Sequence, residues 1–150
     1  MMQHTNNGGF TLVEMMIVVA VLAILAAIAA PNLKTYMAER RVSGAARLVM
    51  TDLMQARMEA VSQNNRFKVF FLDDHRYQVL DDDNNNNTAD SGEASTTKNI
   101  QGKYYDVTLS ATANPIFYPR GTAYGTTVTL TNSSGSKSVT VAAAGRVKIQ

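Results

Sequence analysis

The sequence predicts an α+β protein in which one long N-terminal helix packs against antiparallel β-sheet. Two observations support this prediction. Apolar residues recur with helical spacing up to about residue 65, and from residue 66 the spacing changes to the alternation typical of strands. Helix first and strands afterwards is the order of an α+β fold. At 150 residues the chain is long enough for one modest domain and an appendage.

The N-terminal apolar segment, residues 10–30, is long enough to span a membrane. Glu14 is its only charged residue. As a helix it would be ~31 Å long, which matches the ~30 Å hydrocarbon thickness of a bilayer. Two alternatives explain fewer of these features. A buried core helix of this length would need a larger surrounding domain, and a cleavable secretory signal would have a shorter apolar run.

A short motif opens this segment: Gly8-Gly9-Phe10-Thr11-Leu12-Val13-Glu14. It resembles the class III leader and N-terminal helix of type IV pilins and of the pseudopilins of type II secretion. The resemblance implies that residues 1–9 are a leader peptide, which a prepilin peptidase removes between Gly9 and Phe10 before methylating the new amino terminus of Phe10. A glycine at the cut suits this chemistry, because no Cβ obstructs the approach of the protease.

Glu14 needs a partner in an apolar setting. A carboxylate at mid-membrane costs about 2.5–3.5 kcal/mol on insertion scales, so it is retained only with a partner or a function. The resemblance implies that the amino terminus of a neighbouring Phe10 supplies the partner charge when subunits stack, so that Glu14 sets the register of polymerisation. Pro31 ends the transmembrane and polymerisation helix, and its missing amide hydrogen predicts a kink or local melting there.

Residues 31–65 continue the helix with one apolar face. Apolar residues recur at steps of three and four, which is the spacing of an amphipathic helix, at Ala38, Val42, Ala45, Val49, Leu53, Ala56 and Ala60. The solvent side is expected to carry the charged residues Arg40, Arg41, Arg47, Asp52 and Arg57.

Residues 66–150 are predicted to form a β-rich head. Residues 66–72 and 76–80 alternate in polarity and predict one hairpin. Residues 126–131 and 137–142 flank a turn cluster, Asn-Ser-Ser-Gly-Ser, and predict a second. Shorter strands are expected at 103–109, 115–118 and 146–149.

Two motifs in the head carry a second resemblance. Phe117-Tyr118-Pro119-Arg120-Gly121 and the terminal Gly145-Arg146-Val147-Lys148-Ile149 resemble the GspH and FimT family of minor pilins and pseudopilins. The resemblance implies a type IV pilin-like fold and a structural minor subunit, with other pilin or pseudopilin subunits as partners. It places the protein in the bacterial inner membrane as a single-pass protein with a periplasmic head, and later in a type IV pilus or a type II secretion pseudopilus; the choice between these machines stays open.

Charge is unevenly distributed along the head. Residues 73–93 contain seven acids and one base. Residues 107–150 contain no acid and four bases, Arg120, Lys137, Arg146 and Lys148. The FimT resemblance implies an alternative function, in which these four residues bind double-stranded DNA for natural transformation. Ordinary solvated surface charge is the competing interpretation.

The composition excludes several kinds of site. There is no cysteine, and the two histidines lie 71 positions apart, so neither a thiol nucleophile nor a histidine-based triad is expected. The acidic residues were expected to lack the apolar surroundings that raise a carboxyl pKa. The chain is therefore not expected to be an enzyme.

No cofactor is expected, with calcium in the loop from Asp81 to Glu93 as the alternative. Asp81, Asp83 and Asn85 alternate as in an EF-hand loop, but Asn86 occupies the position of the turn glycine and Glu93 lies one residue beyond the twelfth position. A solvated and partly disordered surface loop is the interpretation that this composition favours.

Overall fold

The computed structural model describes residues 9–150 of the chain. One helix, α1, spans Leu12–Ser62, and nine strands follow it. Their bounds are β1 Arg66–Phe71, β2 Arg76–Asp82, β3 Ser95–Asn99, β4 Thr108–Ala111, β5 Ile116–Phe117, β6 Ala123–Tyr124, β7 Thr126–Asn132, β8 Gly135–Val141 and β9 Val147–Ile149. The chain divides into two compact units, Met1–Thr35 and Tyr36–Gln150.

Helix α1 is continuous through Pro31, so the local melting expected there is not found. A proline removes one N–H from the backbone ladder and its ring crowds the carbonyl four residues earlier. The helical hydrogen bonds on both sides nevertheless continue α1 past Pro31. Downstream of Tyr36 the predicted apolar stripe is confirmed, because all seven of its residues are at most 4% exposed.

The strands form two antiparallel sheets. The first contains five strands in the order β3-β2-β1-β5-β6, and the second contains four in the order β4-β7-β8-β9. The two predicted hairpins are confirmed as β1–β2 and β7–β8. Alternate residues of both sheets, including Val69, Phe117, Val128 and Val139, join the stripe of α1 in one buried core.

The strand predicted at 103–109 is wrong in its first part. The strand β4 starts only at Thr108, and residues 103–107 form turns in which Tyr104 N donates to Ile100 O and Val107 N to Tyr104 O. Contacts with α1 override the alternating pattern here. The Tyr104 ring lies against Gly44, where an added Cβ would be 2.8 Å from Tyr104 Cε1.

Two strands were not predicted from the sequence, β3 and the two-residue β6. The residues of β3 are Ser-Thr-Thr-Lys-Asn, which lack apolar alternation because this edge strand is largely exposed on both faces. Its position is fixed by pairing with β2, from Arg76 opposite Asn99 to Leu80 opposite Ser95. Such pairing leaves no periodic signal in the strand itself.

The acidic loop between β2 and β3 is ordered by its own polar side chains. Asp90 Oδ2 accepts hydrogen bonds from the amides of Asn84 and Asn86, and Glu93 Oε2 accepts from Asp90 N. Asn85 and Asn87 adopt positive φ angles of 60° and 64°, which asparagine tolerates in turns. The loop carboxylates thus serve as acceptors for neighbouring amides.

The expectation that the acidic residues lack apolar surroundings is wrong at the end of β2. Asp82 is fully buried and accepts a hydrogen bond from Asn87 N. Burial also raises the pKa of Asp81, although the hydrogen bond from Asn65 opposes the shift. The alternation of β2 places Asp82 on the same face as the buried Leu80, which accounts for its burial.

Candidate assembly site

The helix start is fixed by Thr11. Thr11 Oγ1 accepts a hydrogen bond from Glu14 N at 3.2 Å, and Thr11 O accepts from Met15 N at 3.2 Å. Thr11 is therefore the N-cap and Glu14 the third helical residue, which is the spacing of a capping box. Gly9 and Phe10 lie outside α1 and are exposed, so the predicted cleavage point falls in non-helical chain.

The first part of α1 presents apolar side chains on all sides. The large apolar residues from Phe10 to Ile28 are between 45% and 78% exposed. By length and composition α1 is long and apolar enough to cross a membrane, with a mean hydropathy of 2.8 over its most apolar window. A helix that is apolar all round must be covered by lipid or by other helices.

Glu14 is exposed within this apolar surface. It is the only charged residue between Phe10 and Leu33. Its position one turn into the helix places the carboxylate near the end of the apolar segment, where the membrane cost of a charge is lower than at the centre.

The compact unit Tyr36–Gln150 contains the second half of α1 and both sheets, and it is called the head from here on. In the head, the second half of α1 is joined to the four-stranded sheet through Arg41 and Asp106. The Arg41 guanidinium donates to both carboxylate oxygens of Asp106, at 2.6 and 2.8 Å, and this hydrogen bonding lowers the pKa of Asp106. Asn132 Nδ2 donates to Ala38 O at 2.7 Å and to Asp106 Oδ2 at 3.2 Å. These bonds connect the helix to the ends of β4 and β7.

The predicted solvent position of Asp52 is wrong. Asp52 is 7% exposed, and Tyr77 Oη donates to its Oδ2 at 2.5 Å. Lys98 Nζ lies 3.9 Å from the other carboxylate oxygen. Asp52 follows Val49 by three positions and precedes Ala56 by four, so it lies at the border of the apolar stripe, and this spacing was the available signal for its burial.

The two sequence motifs of the head meet at a glycine contact. Gly121 and Gly145 both have a φ of 78°, and a Cβ added at Gly145 would lie 1.9 Å from Gly121 O. Arg57 Nε donates to the same Gly121 carbonyl at 2.9 Å. The turn after β5 and the turn before β9 are thus packed against each other and against α1, so the motifs have a packing role that sequence reasoning missed.

The four predicted DNA-binding residues do not share one surface. Lys137 alternates with the buried Val139 and Val141 on β8, whereas Lys148 is opposite Thr140 and therefore lies on the other face of the four-stranded sheet. Arg146 immediately precedes β9 and is exposed, and Arg120 lies in the turn after β5. Arg146 and Lys148 lie two positions apart, and Arg120 and Arg146 are the chain neighbours of the contacting Gly121 and Gly145.

Among the described residues, Asp73, Asp74 and His75 form the group whose ligand atoms are close enough to hold a metal ion. The Asp73 carboxylate already accepts hydrogen bonds from His75 N, Arg76 N and Arg76 Nε. Asp73, Asp74 and His75 form the turn of the β1–β2 hairpin, and the hydrogen bonds of Asp73 within this turn account for their closeness. Calcium binding by the loop from Asp81 to Glu93 stays a prediction.

Comparison with known proteins identifies two sequence families. The family model described as Type II transport protein GspH matches residues 45–145, and the prokaryotic N-terminal methylation motif matches residues 4–30. The chain is 35% identical over 101 residues to the type IV major pilin protein PilE1 of Neisseria gonorrhoeae, covering 67% of this chain and 50% of that protein. It spans between 30% and 50% of the length of the curated relatives it matches.

Two solved structures share the fold. The type IV minor pilin FimU of Pseudomonas aeruginosa aligns with a TM-score of 0.59 at 16% identity, covering 75% of this chain and 90% of that structure. The minor pseudopilin EpsH of the Vibrio cholerae type 2 secretion system aligns with a TM-score of 0.58 at 15% identity, covering 73% and 96%. Together with the family models, these findings show that the chain belongs to the GspH family and has the type IV pilin fold and an N-terminal methylation motif.

Proposed function

We propose that the protein is a structural minor subunit of a type IV pilus or a type II secretion pseudopilus. In this proposal a prepilin peptidase cleaves between Gly9 and Phe10 and methylates the Phe10 amine, and the mature chain assembles through its N-terminal helix. The observation that carries the proposal is the exposed, uniformly apolar start of α1 with a single carboxylate in its first turn.

The exposure of this helix requires two successive environments. Before assembly the bilayer covers it, with the chain as a single-pass protein of the bacterial inner membrane and the head in the periplasm. After extraction from the membrane, the same surface needs helices of other pilin or pseudopilin subunits around it, because apolar surface left in water costs about 25 cal/mol per Å². A subunit of a helical filament meets both requirements.

Glu14 gives the assembly a register. Buried among apolar helices without a partner, a carboxylate is strongly disfavoured, whereas the free amine created at Phe10 of a neighbour would compensate it. Thr11 Oγ1 accepts the capping hydrogen bond from Glu14 N, and this bond defines where α1 begins. It therefore fixes the position of Glu14 in the first turn of the helix. Processing and assembly are coupled in this way, since the amine exists only after cleavage.

The test compares Glu14→Val with Glu39→Val, which removes an exposed carboxylate from the same helix within the head. Both variants are produced at full length in cells that carry the assembly machinery, and membranes and sheared filaments are analysed separately. We expect Glu14→Val to insert and to be processed, but to be absent from filaments, while Glu39→Val assembles. Equal recovery of both variants in filaments would contradict the proposed role of Glu14.

A second candidate function is DNA binding during natural transformation. One observation favours it: Arg146 and Lys148 are both exposed at the end of the chain and are separated by two positions, the spacing that repeats on one face of a strand. Phosphate contacts from such a pair would be independent of sequence. Gel-shift titration with duplex DNA tests this candidate, and Lys137, on the opposite sheet face from Lys148, supplies a control position.

A further inference from the structure

An open cleft lies where the end of α1 meets the turn between β5 and β6. Its volume is about 470 Å³, and its lining includes Asn64, Asn65, Arg66, Asn85, Tyr118 and Arg120. The two arginines come from parts of the chain more than fifty positions apart, so the cleft is a product of the fold. It is separate from the apolar start of α1 to which assembly is assigned.

The cleft is lined with hydrogen-bond donors. It offers two guanidinium groups, the carboxamides of Asn64 and Asn85 and a phenol hydroxyl, whereas the Asn65 amide already donates to Asp81 and Asp83. None of the described residues that line the cleft is acidic. Guanidinium groups donate in a planar fork that matches the oxygens of carboxylate and phosphate groups. This contrasts with a second cleft of about 250 Å³ beside β1, whose lining contains Asp52, Glu59 and Asp81. The donor set selects for an anion in the first cleft.

The two arginines form no ion pair with the described residues, although Asp82 lies opposite Arg66 in the register of β1 and β2. Within the part of the chain that the structure describes, neither Arg66 nor Arg120 has a carboxylate oxygen within 4.0 Å. The nearby carboxylates of Asp81 and Asp83 instead accept hydrogen bonds from Asn65 Nδ2, each at 2.6 Å. Two unpaired cations facing one cleft favour an anionic ligand.

The lining is also held in place by the fold. Arg66 lies over the Tyr118 ring, with its Cζ 5.4 Å from the ring centre, and its NH1 donates to Asn85 O at 3.5 Å. Tyr118 to Gly121 form a turn with Pro119 in second position, closed by a 2.8 Å bond from Gly121 N to Tyr118 O. A preformed donor set reduces the entropy lost when a ligand binds.

We infer that this cleft binds an oxyanion, a phosphate or carboxylate group, between the side chains of Arg66 and Arg120. The Arg66 side chain is held by the Tyr118 ring and by its hydrogen bond to Asn85 O, so it forms the fixed side of the site. Arg120 is exposed at the tip of its turn and closes on the ligand from the other side. The inference is independent of the proposed filament role, because it uses no residue of the apolar segment.

The experiment uses the full-length protein, labelled with ¹⁵N, in neutral-detergent micelles. Inorganic phosphate and, in a separate arm, acetyl-Asp-Asp-Asp-amide are titrated at constant ionic strength against chloride. We expect saturable shifts of the backbone amides of residues 64–66, 118 and 120–122 in at least one arm. A response to phosphate alone identifies a phosphate ligand, and a response to the peptide alone identifies an acidic peptide.

The decisive variants are Arg120→Gln and Arg47→Gln, which remove one exposed arginine charge inside and outside the cleft, respectively. Loss of one charge-assisted hydrogen bond should weaken binding by about tenfold or more in Arg120→Gln. Arg47→Gln should keep the affinity within about twofold of the unmodified protein, because Arg47 does not line the cleft and exposed charges away from a site are screened by salt. Arg120 is exposed, so its variant is expected to keep the unmodified spectrum elsewhere.

Two results would overturn the inference. One is the absence of any saturable shift with either anion at about 50 mM, far above the millimolar range in which a weak specific site would saturate. The other is an equal loss of affinity in Arg120→Gln and Arg47→Gln, which would indicate a diffuse response to net charge. Arg66→Lys, which keeps the charge and loses the fork, provides an additional check and should bind more weakly than the unmodified protein.

Discussion

Gly145 approaches Gly121 so closely that there is no room for a side chain at Gly145. The added Cβ at Gly145 would lie 1.9 Å from Gly121 O, and 2.8 Å from the Arg57 Nε that donates to this carbonyl. Ala123 N also donates to Ala143 O at 2.9 Å beside this contact. The helix and both sheets therefore meet at one point, which makes it sensitive to substitution.

We expect Gly145→Ala to destabilise the head more than Gly121→Ala. Both residues have a φ of 78°, so either alanine pays the same backbone cost of about 1–2 kcal/mol. At Gly145 the new methyl group also overlaps a backbone carbonyl, and overpacking of this kind adds about 1–3 kcal/mol. At Gly121 the nearest atom is the flexible end of Arg57, at 3.3 Å.

The free energy of unfolding of both variants can be measured by urea titration of the full-length protein in neutral detergent. Tyrosine circular dichroism is a suitable signal, because all six tyrosines lie at residue 36 or later and report on the head alone. Equal destabilisation by the two alanines would show that backbone strain, and not the contact, dominates this junction.

The apolar pattern of α1 predicted both its length and its buried face, because the helical period is carried by many residues at once. The positions from Ala38 to Ala60 are buried as expected. The same kind of signal predicted the β1–β2 and β7–β8 hairpins, where alternation and turn residues agree. Repeated local signals of this kind do not depend on the rest of the fold.

What the sequence could not predict depends on contacts between distant positions. Tyr104 and Asp106 have the spacing of strand residues, but one packs on Gly44 and the other binds Arg41, 65 positions away. Asp52 is of a residue type expected at the surface, yet it is buried and accepts a hydrogen bond from Tyr77 Oη. In the candidate site, the leader motif predicted Gly9, Phe10 and Glu14 by resemblance alone, whereas the cleft at Arg66 and Arg120 has no sequence signature.

The buried pair of Tyr77 and Asp52 predicts a loss of stability at alkaline pH. Burial, followed by the hydrogen bond to Asp52, raises the pKa of Tyr77 above its ordinary value of 10.0. A group whose pKa is raised on folding stabilises the fold below its unfolded pKa and loses that contribution as the pH rises above it. The free energy of unfolding should therefore fall above about pH 10, where unfolded tyrosine ionises.

Tyr77→Phe should weaken this alkaline dependence and should cost about 1–3 kcal/mol near neutral pH, because the buried Asp52 loses its hydrogen-bond donor. Tyr124→Phe is the matched control, since Tyr124 is 58% exposed on an edge strand. Urea titrations at several pH values between 8 and 11, followed by far-ultraviolet circular dichroism, would measure both effects. An alkaline slope unchanged in Tyr77→Phe would assign the dependence to other groups.

The ion pair of Arg41 and Asp106 predicts a loss of stability in acid. The hydrogen bonds from Arg41 lower the pKa of Asp106 below its ordinary value of 3.8. A carboxyl group of this kind stabilises the folded state above its unfolded pKa, and the contribution disappears as the pH falls through the folded pKa. Asp106→Asn should therefore be less stable than the unmodified protein at pH 7, and the difference should shrink below about pH 4.

The control for this prediction is Glu39→Gln, an exposed carboxylate on the same helix. Thermal unfolding between pH 2 and 7, followed by tyrosine circular dichroism, would compare the three proteins. A constant difference between Asp106→Asn and the unmodified protein across this range would show that the ion pair does not contribute to the acid dependence.

Replacement of Gly9 by a bulky residue should block processing. A side chain there obstructs the approach of a membrane-embedded peptidase to the backbone, whereas among the described residues beyond its chain neighbour no atom lies within 4 Å of a Cβ added at Gly9. Gly9→Leu is therefore expected to accumulate as an unprocessed membrane form, while Gly8→Ala is cleaved. Mass spectrometry of the membrane fraction distinguishes the two forms, and a mature methylated Phe10 terminus in Gly9→Leu would show that the cleavage point is assigned wrongly.

DNA binding, if it occurs through the end of the chain, should involve few phosphates. Only Arg146 and Lys148 combine exposure with the two-residue spacing of one strand face, because Lys137 lies on the opposite sheet face from Lys148. Each neutralised phosphate contributes about 0.9 to the salt dependence, so the logarithm of the binding constant should fall with a slope of about −2 against the logarithm of salt concentration. The double variant Arg146→Ala and Lys148→Ala should abolish the shift in gel titrations at low salt, and Lys137→Ala should leave it unchanged. A slope of −4, or equal loss in the Lys137→Ala control, would show that binding uses a broader basic surface than this pair. If no retardation occurs at high micromolar protein, DNA binding is excluded and the filament role is the one that remains.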